Sequence, residues 1–120
     1  MKIAISAREQ TLKSLVDLRF GRCNCFIVVD TATGDYRAVS NNQNLNAAQG
    51  AGIQSAEIVS RQGVEAVITG HCGPKAFRTL SAAGIKVFTG AEGTVADTVE
   101  KFKKGMLTEA EEADVEGHWI

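Results

Sequence analysis

The sequence contains no long apolar run, and this absence excludes a transmembrane helix. None of its apolar stretches approaches the ~20 residues that a helix needs to cross a bilayer. Residues 1–6 also lack the longer apolar region of a signal peptide and are typical of a first β-strand. We therefore expect a cytoplasmic protein without membrane contacts, whose cysteines are reduced thiols.

Histidines and closely spaced acidic pairs are scarce, which leaves few residues for hydrolytic chemistry. One of the two histidines, His118, lies in an acidic C-terminal segment. Asp30 and Asp35 bracket a predicted turn, so two-metal nuclease chemistry lacks its carboxylates. The fragment Gly50-Ala51-Gly52 does not follow a predicted strand, which disfavours a dinucleotide-binding fingerprint. These absences argue against a hydrolase and against a nucleotide-dependent oxidoreductase.

Charge is divided unevenly between the body of the chain and its C-terminus. The formal net charge is -1, but the five acidic residues of segment 107–120 face no Lys or Arg there. The remainder holds nine acidic against thirteen basic residues, an excess that suits an anionic ligand. Polyanion-binding proteins usually show denser Lys/Arg clusters, so nucleic acid is not an expected partner. We predict one domain over residues 1–106, followed by an acidic tail at 107–120.

Apolar periodicity and turn residues predict a mixed α/β fold. Rich β patterns occur at residues 2–6, 25–31, 36–39, 65–69 and 85–89, and a turn at 31–35 makes the second and third strands a hairpin. One helix is expected over residues 52–62, with Ile53, Ala56 and Val59 on its apolar face. The next is expected to begin at Pro74 and end at Gly84, with an apolar stripe at residues 76, 77, 80 and 83. Thr94 caps a third helix that ends at Gly105. The order β-β-β-α-β-α-β-α implies a mixed sheet of about five strands with helices on its faces.

Residues of unusual chemistry gather at one edge of this predicted sheet. Ligands of open α/β sheets bind beyond the carboxyl ends of parallel strands, and these ends deliver residues 6–8, 69–73 and 89–91. Within the second group, Gly70, His71, Cys72 and Gly73 form a strand-to-helix turn. Because helix N-termini favour thiolates, Cys72 is the best candidate for a reactive or ligating thiol, and His71 could coordinate a soft metal. The alternative is a tight glycine-rich turn in which His71 only satisfies backbone hydrogen bonds.

The string Asp17-Leu18-Arg19-Phe20-Gly21-Arg22 is the most distinctive in the chain. The guanidinium groups of Arg19 and Arg22 can both donate hydrogen bonds to one anion bound between them. Gly21 permits a close backbone approach, and Phe20 can anchor the loop in the core. Taken alone, the string is equally compatible with a solvated basic loop.

Two further cysteines follow this loop as a Cys-x-Cys pair. Side chains at this spacing on a strand point to opposite faces, so the two thiols could chelate together only if Cys23 lies in the loop. The pair is a weaker metal signal than two Cys-x-x-Cys motifs. The alternative is that Cys25 is a small core residue and that only Cys23 and Cys72 are available.

Taken together, these strings resemble the dinitrogenase iron–molybdenum cofactor biosynthesis family, which includes the nitrogenase accessory cofactor carriers and the molybdenum–copper orange protein branch. The resemblance covers roughly residues 1–105, and the matching segments are residues 17–22, 26–30, 50–54, 67–77 and 82–87. It implies a ribonuclease-H-like three-layer fold without nuclease activity. It also implies a protein that binds, stores or delivers a metal–sulfur cluster and is not an enzyme.

One departure bears on the identity of that cluster. Arg19 stands where the nitrogenase carriers usually have a histidine, which favours the orange protein branch. The resemblance then implies a molybdenum–sulfur cluster, with a molybdenum–copper sulfide as the specific candidate, held mainly by non-covalent contacts. An iron–sulfur cluster and the iron–molybdenum cofactor are the alternatives. The expected binding residues are Arg19, Phe20, Gly21, Arg22, Cys23, Gly70, His71, Cys72 and Gly73, with Cys23, His71 and Cys72 as metal ligands.

Two other functions remain open at this point. The tail, which ends in Trp119-Ile120, could make the protein a regulatory module, and the resemblance suggests cluster-assembly or cell-division-type ATPases as its partners. A thiol redox switch could use Cys23, Cys25 and Cys72, although the chain lacks the Cys-x-x-Cys motif of thioredoxin-like proteins. We expect a monomer or a weak dimer.

Overall fold

The residues that the structure describes form five strands, three α-helices and one short 3₁₀ helix, and the strands and α-helices follow the order that the sequence pattern predicts. The structure, a computed structural model, describes residues 1–45, 47 and 49–113. The elements are β1 (Lys2–Ala7), β2 (Cys25–Asp30), β3 (Tyr36–Ser40), the 3₁₀ turn Asn42–Asn44, α1 (Ala51–Ser60), β4 (Ala66–Ile68), α2 (Pro74–Ala82), β5 (Lys86–Phe88) and α3 (Val95–Lys103).

All five strands form one mixed sheet in the order β3-β2-β1-β4-β5. β1 and β2, like β2 and β3, run antiparallel, whereas β1, β4 and β5 are parallel. The predicted hairpin and the predicted mixed sheet are therefore confirmed. The carboxyl ends of β1, β4 and β5 meet at one edge of the sheet, which we call the carboxyl edge.

Helices cover both faces of the sheet, because strand side chains alternate between two apolar clusters. On β1, Ala4 points into a cluster with Val59 of α1 and Leu80 of α2. Ile3 and Ile5 point into a second cluster, which contains Val95 of α3. All three β1 residues are fully buried, and each isoleucine contributes about 1.5–3 kcal/mol by its removal from water. The result is three layers; the ribonuclease-H-like classification stays a prediction.

The helix ends follow the sequence signals, but two core predictions need correction. Thr94 Oγ1 accepts a hydrogen bond from Asp97 N, as expected for an N-cap. In α1, Ile53 is only half-buried and Ser55 is buried, because the helix turns Ser55 toward the loop before β2. Ala83 is exposed, because α2 ends at Ala82.

The first residues of the predicted acidic tail lie along the edge strand β5. Ala110 N donates to Val87 O at 2.7 Å, and Glu109 forms an isolated bridge with Phe88. Leu107 packs against the apolar cluster beneath α3. The expected anchor, Trp119-Ile120, lies outside the described residues. Within the described part of the chain, no helix has the length and apolar character that a membrane span requires.

Candidate functional site

Residues 17–23, which we call the site loop, cross the carboxyl edge between β1 and β2. Backbone contacts fix where the loop begins, since Asp17 N donates to Ser6 O at 2.9 Å. The Ser6 hydroxyl oxygen lies 2.7 Å from both Asp17 O and the Thr69 hydroxyl oxygen. Ser6 belongs to β1 and Thr69 follows β4, so the loop starts from two neighbouring parallel strands.

The site loop pairs with the glycine-rich turn 69–73 like a short piece of parallel sheet. His71 N donates to Leu18 O at 2.8 Å, and Phe20 N donates to His71 O at 3.2 Å. These bonds place Arg19 beside His71. The structure thus brings together the two segments that the sequence singled out separately.

Two glycines allow this close packing. A Cβ atom on Gly70 would lie 2.7 Å from Leu18 Cα and 2.8 Å from Leu18 O, so the turn and the loop can touch only if position 70 has no side chain. A Cβ atom on Gly21 would lie 3.0 Å from both Gly52 Cα and Gly52 N. The close approach that we expected at Gly21 is therefore made to helix α1.

Phe20 anchors the site loop from inside the core. Its side chain is fully buried, and its ring centroid lies 5.3 Å from that of Phe26 on β2. A ring in this position cannot touch a ligand at the surface. The expected contribution of Phe20 to binding is therefore indirect, through the position of the loop.

The arginine pair at the surface differs from the predicted one. A pocket at the carboxyl edge is lined by Arg8, Asp17, Leu18 and Arg19. Arg22 is instead held by its Nη1, which donates to Ala47 O at 2.6 Å. Arg19 therefore shares the pocket with Arg8. The sequence signal for Arg8 was its position directly after β1, at the carboxyl end of a parallel strand.

All three cysteines lie in the core. For Cys25 this is the alternative that the sequence left open, whereas Cys23 and Cys72 were expected at the ligand. Cys23 and Cys72 are fully buried in the apolar cluster beneath α1 and α2, and Cys25 is 1% exposed. Burial, followed by the negative charge of Asp17, raises the pKa of Cys23 well above its usual value and also raises the pKa of Cys25. A neutral, buried thiol is a poor ligand and a poor nucleophile, because the thiolate is the reactive form. Among the described residues, no group of three His, Cys, Asp or Glu side chains could hold a metal ion.

This burial predicts that Cys23 reacts slowly in the folded protein. We expect iodoacetamide to alkylate native Cys23 at least ~100-fold more slowly than the same thiol in guanidinium chloride, because both access and ionisation are suppressed. Peptide mass spectrometry after timed labelling measures both rates. Rapid labelling of native Cys23 would contradict its burial in the core and would support the hypothesis of a thiol redox switch.

A buried polar network supports the second half of the site loop. Ser55 of α1 donates its hydroxyl to Gly21 O at 2.8 Å, and Asn41 Nδ2 donates to Cys23 O at 3.0 Å. Asn44 Nδ2 in turn donates to Asn41 Oδ1 at 2.8 Å. These three side chains are fully buried. None of these three residues was among the site residues expected from the sequence, although the stretch 40–50 holds four asparagines.

Comparison with known proteins connects this geometry to a family. A sequence profile described as dinitrogenase iron-molybdenum cofactor matches residues 1–105. An uncharacterised protein of Methanocaldococcus jannaschii is 29% identical over 113 residues, which cover 92% of each chain.

Solved structures of similar sequence share the fold. The apo form of the orange protein from Desulfovibrio gigas is 41% identical and superposes with a TM-score of 0.92, over 95% of this chain and 96% of that one. A NifB-like protein from Thermotoga, solved by NMR, is 36% identical with a TM-score of 0.79, over 90% of this chain and 91% of its own. The chain therefore belongs to the dinitrogenase iron–molybdenum cofactor family, as the resemblance predicted.

Proposed function

We propose that this protein binds and carries an anionic metal–sulfur cluster in the pocket formed by Arg8 and Arg19. The observation that carries the proposal is the pairing of two arginines at the carboxyl edge, beside a loop that is tightly held from beneath. Membership of a family described by the iron–molybdenum cofactor supports a role in cofactor binding or biosynthesis. The similarity to the orange protein supports the same role.

The chemistry of the available donors fits a preassembled cluster better than a bare metal ion. A bare ion needs several His, Cys or carboxylate ligands, and the described residues group no three of them. A sulfide cluster already carries its metal ligands and a negative charge. It needs positive charge and hydrogen-bond donors, which guanidinium groups supply in a fixed planar arrangement. Arg8 and Arg19 meet this need.

Apolar surface next to the pocket fits the same ligand. Leu18 lines the pocket and is 41% exposed, and Leu15, a few residues earlier, is 49% exposed. Sulfide faces are soft and weakly hydrated compared with phosphate or carboxylate oxygens, so exposed leucines beside two arginines suit a thiometallate. We infer that this mixed surface distinguishes the cluster from ordinary oxyanions.

We propose a molybdenum–sulfur cluster as the cargo, with a molybdenum–copper sulfide as the specific candidate. Arg19 occupies the position where the resemblance places a histidine in nitrogenase carriers, and a guanidinium group does not coordinate a metal. His71, which lies beside Arg19, is the residue that could add a direct metal bond. We expect an iron–sulfur cluster or the iron–molybdenum cofactor to depend on a direct protein–metal bond more than a molybdenum–copper sulfide does. We propose that the protein carries this cargo without catalysing a reaction. The proposal of a partner ATPase comes from the family resemblance.

Substitution of the two pocket arginines tests the site. We expect Arg8→Ala and Arg19→Ala each to weaken binding of tetrathiomolybdate, added with or without copper, by roughly tenfold, because each removes one charge-assisted contact. Anaerobic titration followed in the visible spectrum measures the affinity. Arg22→Ala should have a smaller effect, because that side chain is engaged with Ala47 O.

The matched control is Arg37→Ala, which removes the same charge from the exposed strand β3. Equal weakening by Arg37→Ala would mean that only net charge matters and that the pocket is not the site. A wild-type protein that stays colourless after anaerobic reconstitution with thiomolybdate and copper would refute the proposed function.

A further inference from the structure

We propose that Asp17 is a positioning residue of the anion site, whose carboxylate orders Arg19 toward the pocket. The inference rests on the proposed function, because it concerns how the same pocket is held ready for its ligand. Charge alone would not predict this role for Asp17, because a negative side chain beside an anion site repels the ligand.

One carboxylate oxygen of Asp17 engages both the backbone and the side chain of Arg19. Arg19 N donates to Asp17 Oδ1 at 3.1 Å, which forms an Asx turn over two residues. Arg19 Nε lies 3.9 Å from the same oxygen. The Arg19 side chain is 47% exposed, so without this contact it would sample many rotamers. Binding of a ligand would then cost the conformational entropy of those rotamers. The carboxylate thus reduces the entropy cost of presenting the guanidinium group.

Asp17 can act in this way because its own position is rigid. Its side chain is only 12% exposed, and its backbone N–H and C=O both bond to Ser6 on β1. Ser6 also contacts Thr69, at the end of β4. The carboxylate is therefore anchored to two adjacent strands, and Arg19, two residues later, is ordered from that anchor.

The negative charge of Asp17 has a second effect below the pocket. It contributes to the raised pKa values of Cys23 and Cys25, after the larger effect of burial. Burial by itself already disfavours the thiolate form of both cysteines, and the carboxylate adds to that effect.

Two substitutions separate positioning from simple repulsion, because the two models predict opposite changes in binding for Asp17→Ala. Asp17→Ala removes both the charge and the hydrogen-bond acceptor, whereas Asp17→Asn removes the charge but keeps Oδ1 as an acceptor. We expect Asp17→Ala to bind tetrathiomolybdate roughly threefold to tenfold more weakly than wild type, the value of one lost hydrogen bond. Asp17→Asn should bind at least as tightly as wild type. Tighter binding by both variants would show that Asp17 is only a repulsive charge and would overturn the proposal.

A second measurement separates this inference from the proposed function, because it needs no ligand. Hydrogen exchange of the Arg19 backbone amide, followed by NMR in the free protein, should accelerate in Asp17→Ala and remain slow in Asp17→Asn. An unchanged exchange rate in Asp17→Ala would overturn the proposal even if binding fell. If wild-type protein binds no tetrathiomolybdate, the proposed function fails, and the exchange pattern alone decides whether Asp17 orders Arg19.

Discussion

Replacement of Gly70 by alanine is expected to push the site loop off the turn 69–73. The new Cβ atom would lie 2.7 Å from Leu18 Cα and 2.8 Å from Leu18 O, closer than a Cβ atom approaches any non-bonded atom. Because backbone atoms cannot rotate away, the loop must move and stretch the bond from His71 N to Leu18 O, which is 2.8 Å long. We expect a loss of about 1–3 kcal/mol in the free energy of unfolding from overpacking.

The displacement should also abolish the arrangement that presents Arg19. We therefore expect tetrathiomolybdate binding by Gly70→Ala to weaken more than tenfold, since the loop position and not one contact is lost. Urea unfolding and anaerobic titration measure the two effects. Gly34→Ala is the control, because Gly34 has a positive φ of 81° but no atom within 4 Å of its added Cβ. That control should cost about 1 kcal/mol of stability and leave binding unchanged.

The interpretation would be contradicted if Gly70→Ala unfolded at the same urea concentration as wild type and bound tetrathiomolybdate equally well. Such a result would mean that the turn and the loop are not in contact in solution. Equal loss of binding in Gly34→Ala would show instead that backbone strain anywhere in the domain disables the site.

Replacement of Phe20 by alanine is expected to have the largest effect on stability. The ring is fully buried and packs against Phe26 at a centroid distance of 5.3 Å. Truncation of a buried phenylalanine costs about 3–5 kcal/mol, because a cavity replaces the lost contacts. Small domains have only about 5–15 kcal/mol of stability, so this variant should lie close to unfolding.

The site should be lost together with this anchor, because the Phe20 ring directly follows Arg19 and holds that part of the loop in the core. Phe102→Ala is the matched control: Phe102 makes a similar ring contact, at 5.3 Å from Phe88, but on the face covered by α3. Both variants should unfold at lower urea concentration than wild type. Under folding conditions, Phe102→Ala should still bind tetrathiomolybdate normally, and Phe20→Ala should not. Normal binding by folded Phe20→Ala would show that the loop does not need its anchor.

Most of the fold could be predicted from the sequence, because its signals are local. The short apolar run of β1, Pro74 at the start of α2 and the Thr94 cap of α3 each depend on residues within one element. The predicted element order and mixed sheet agree with the structure, and the strings that suggested the family are contiguous. Two predictions of burial were wrong. Ile53, near the start of α1, is only half-buried, and Ala83, just after α2, is exposed.

The candidate site could be located from the sequence but not assembled from it. The carboxyl edge follows from the parallel strands, and residues 17–23 and 69–73 both reach it. Which side chains open to solvent there depends on contacts across long separations in the chain. Ser55 holds Gly21 from 34 residues away, and Asn41 holds Cys23 from 18 residues away. No local pattern encodes these contacts.

By itself, the sequence determined the class of fold, the family and the sheet edge of the candidate site, because periodicity, capping and contiguous motifs are properties of neighbouring residues. Only the tertiary structure decided that the cysteines are buried, that Arg22 is tied to Ala47 and that Arg8 joins Arg19. The physical reason is that an irregular loop has no repeating geometry of its own. The direction of each of its side chains is set by the strands, turns and helices against which the loop packs.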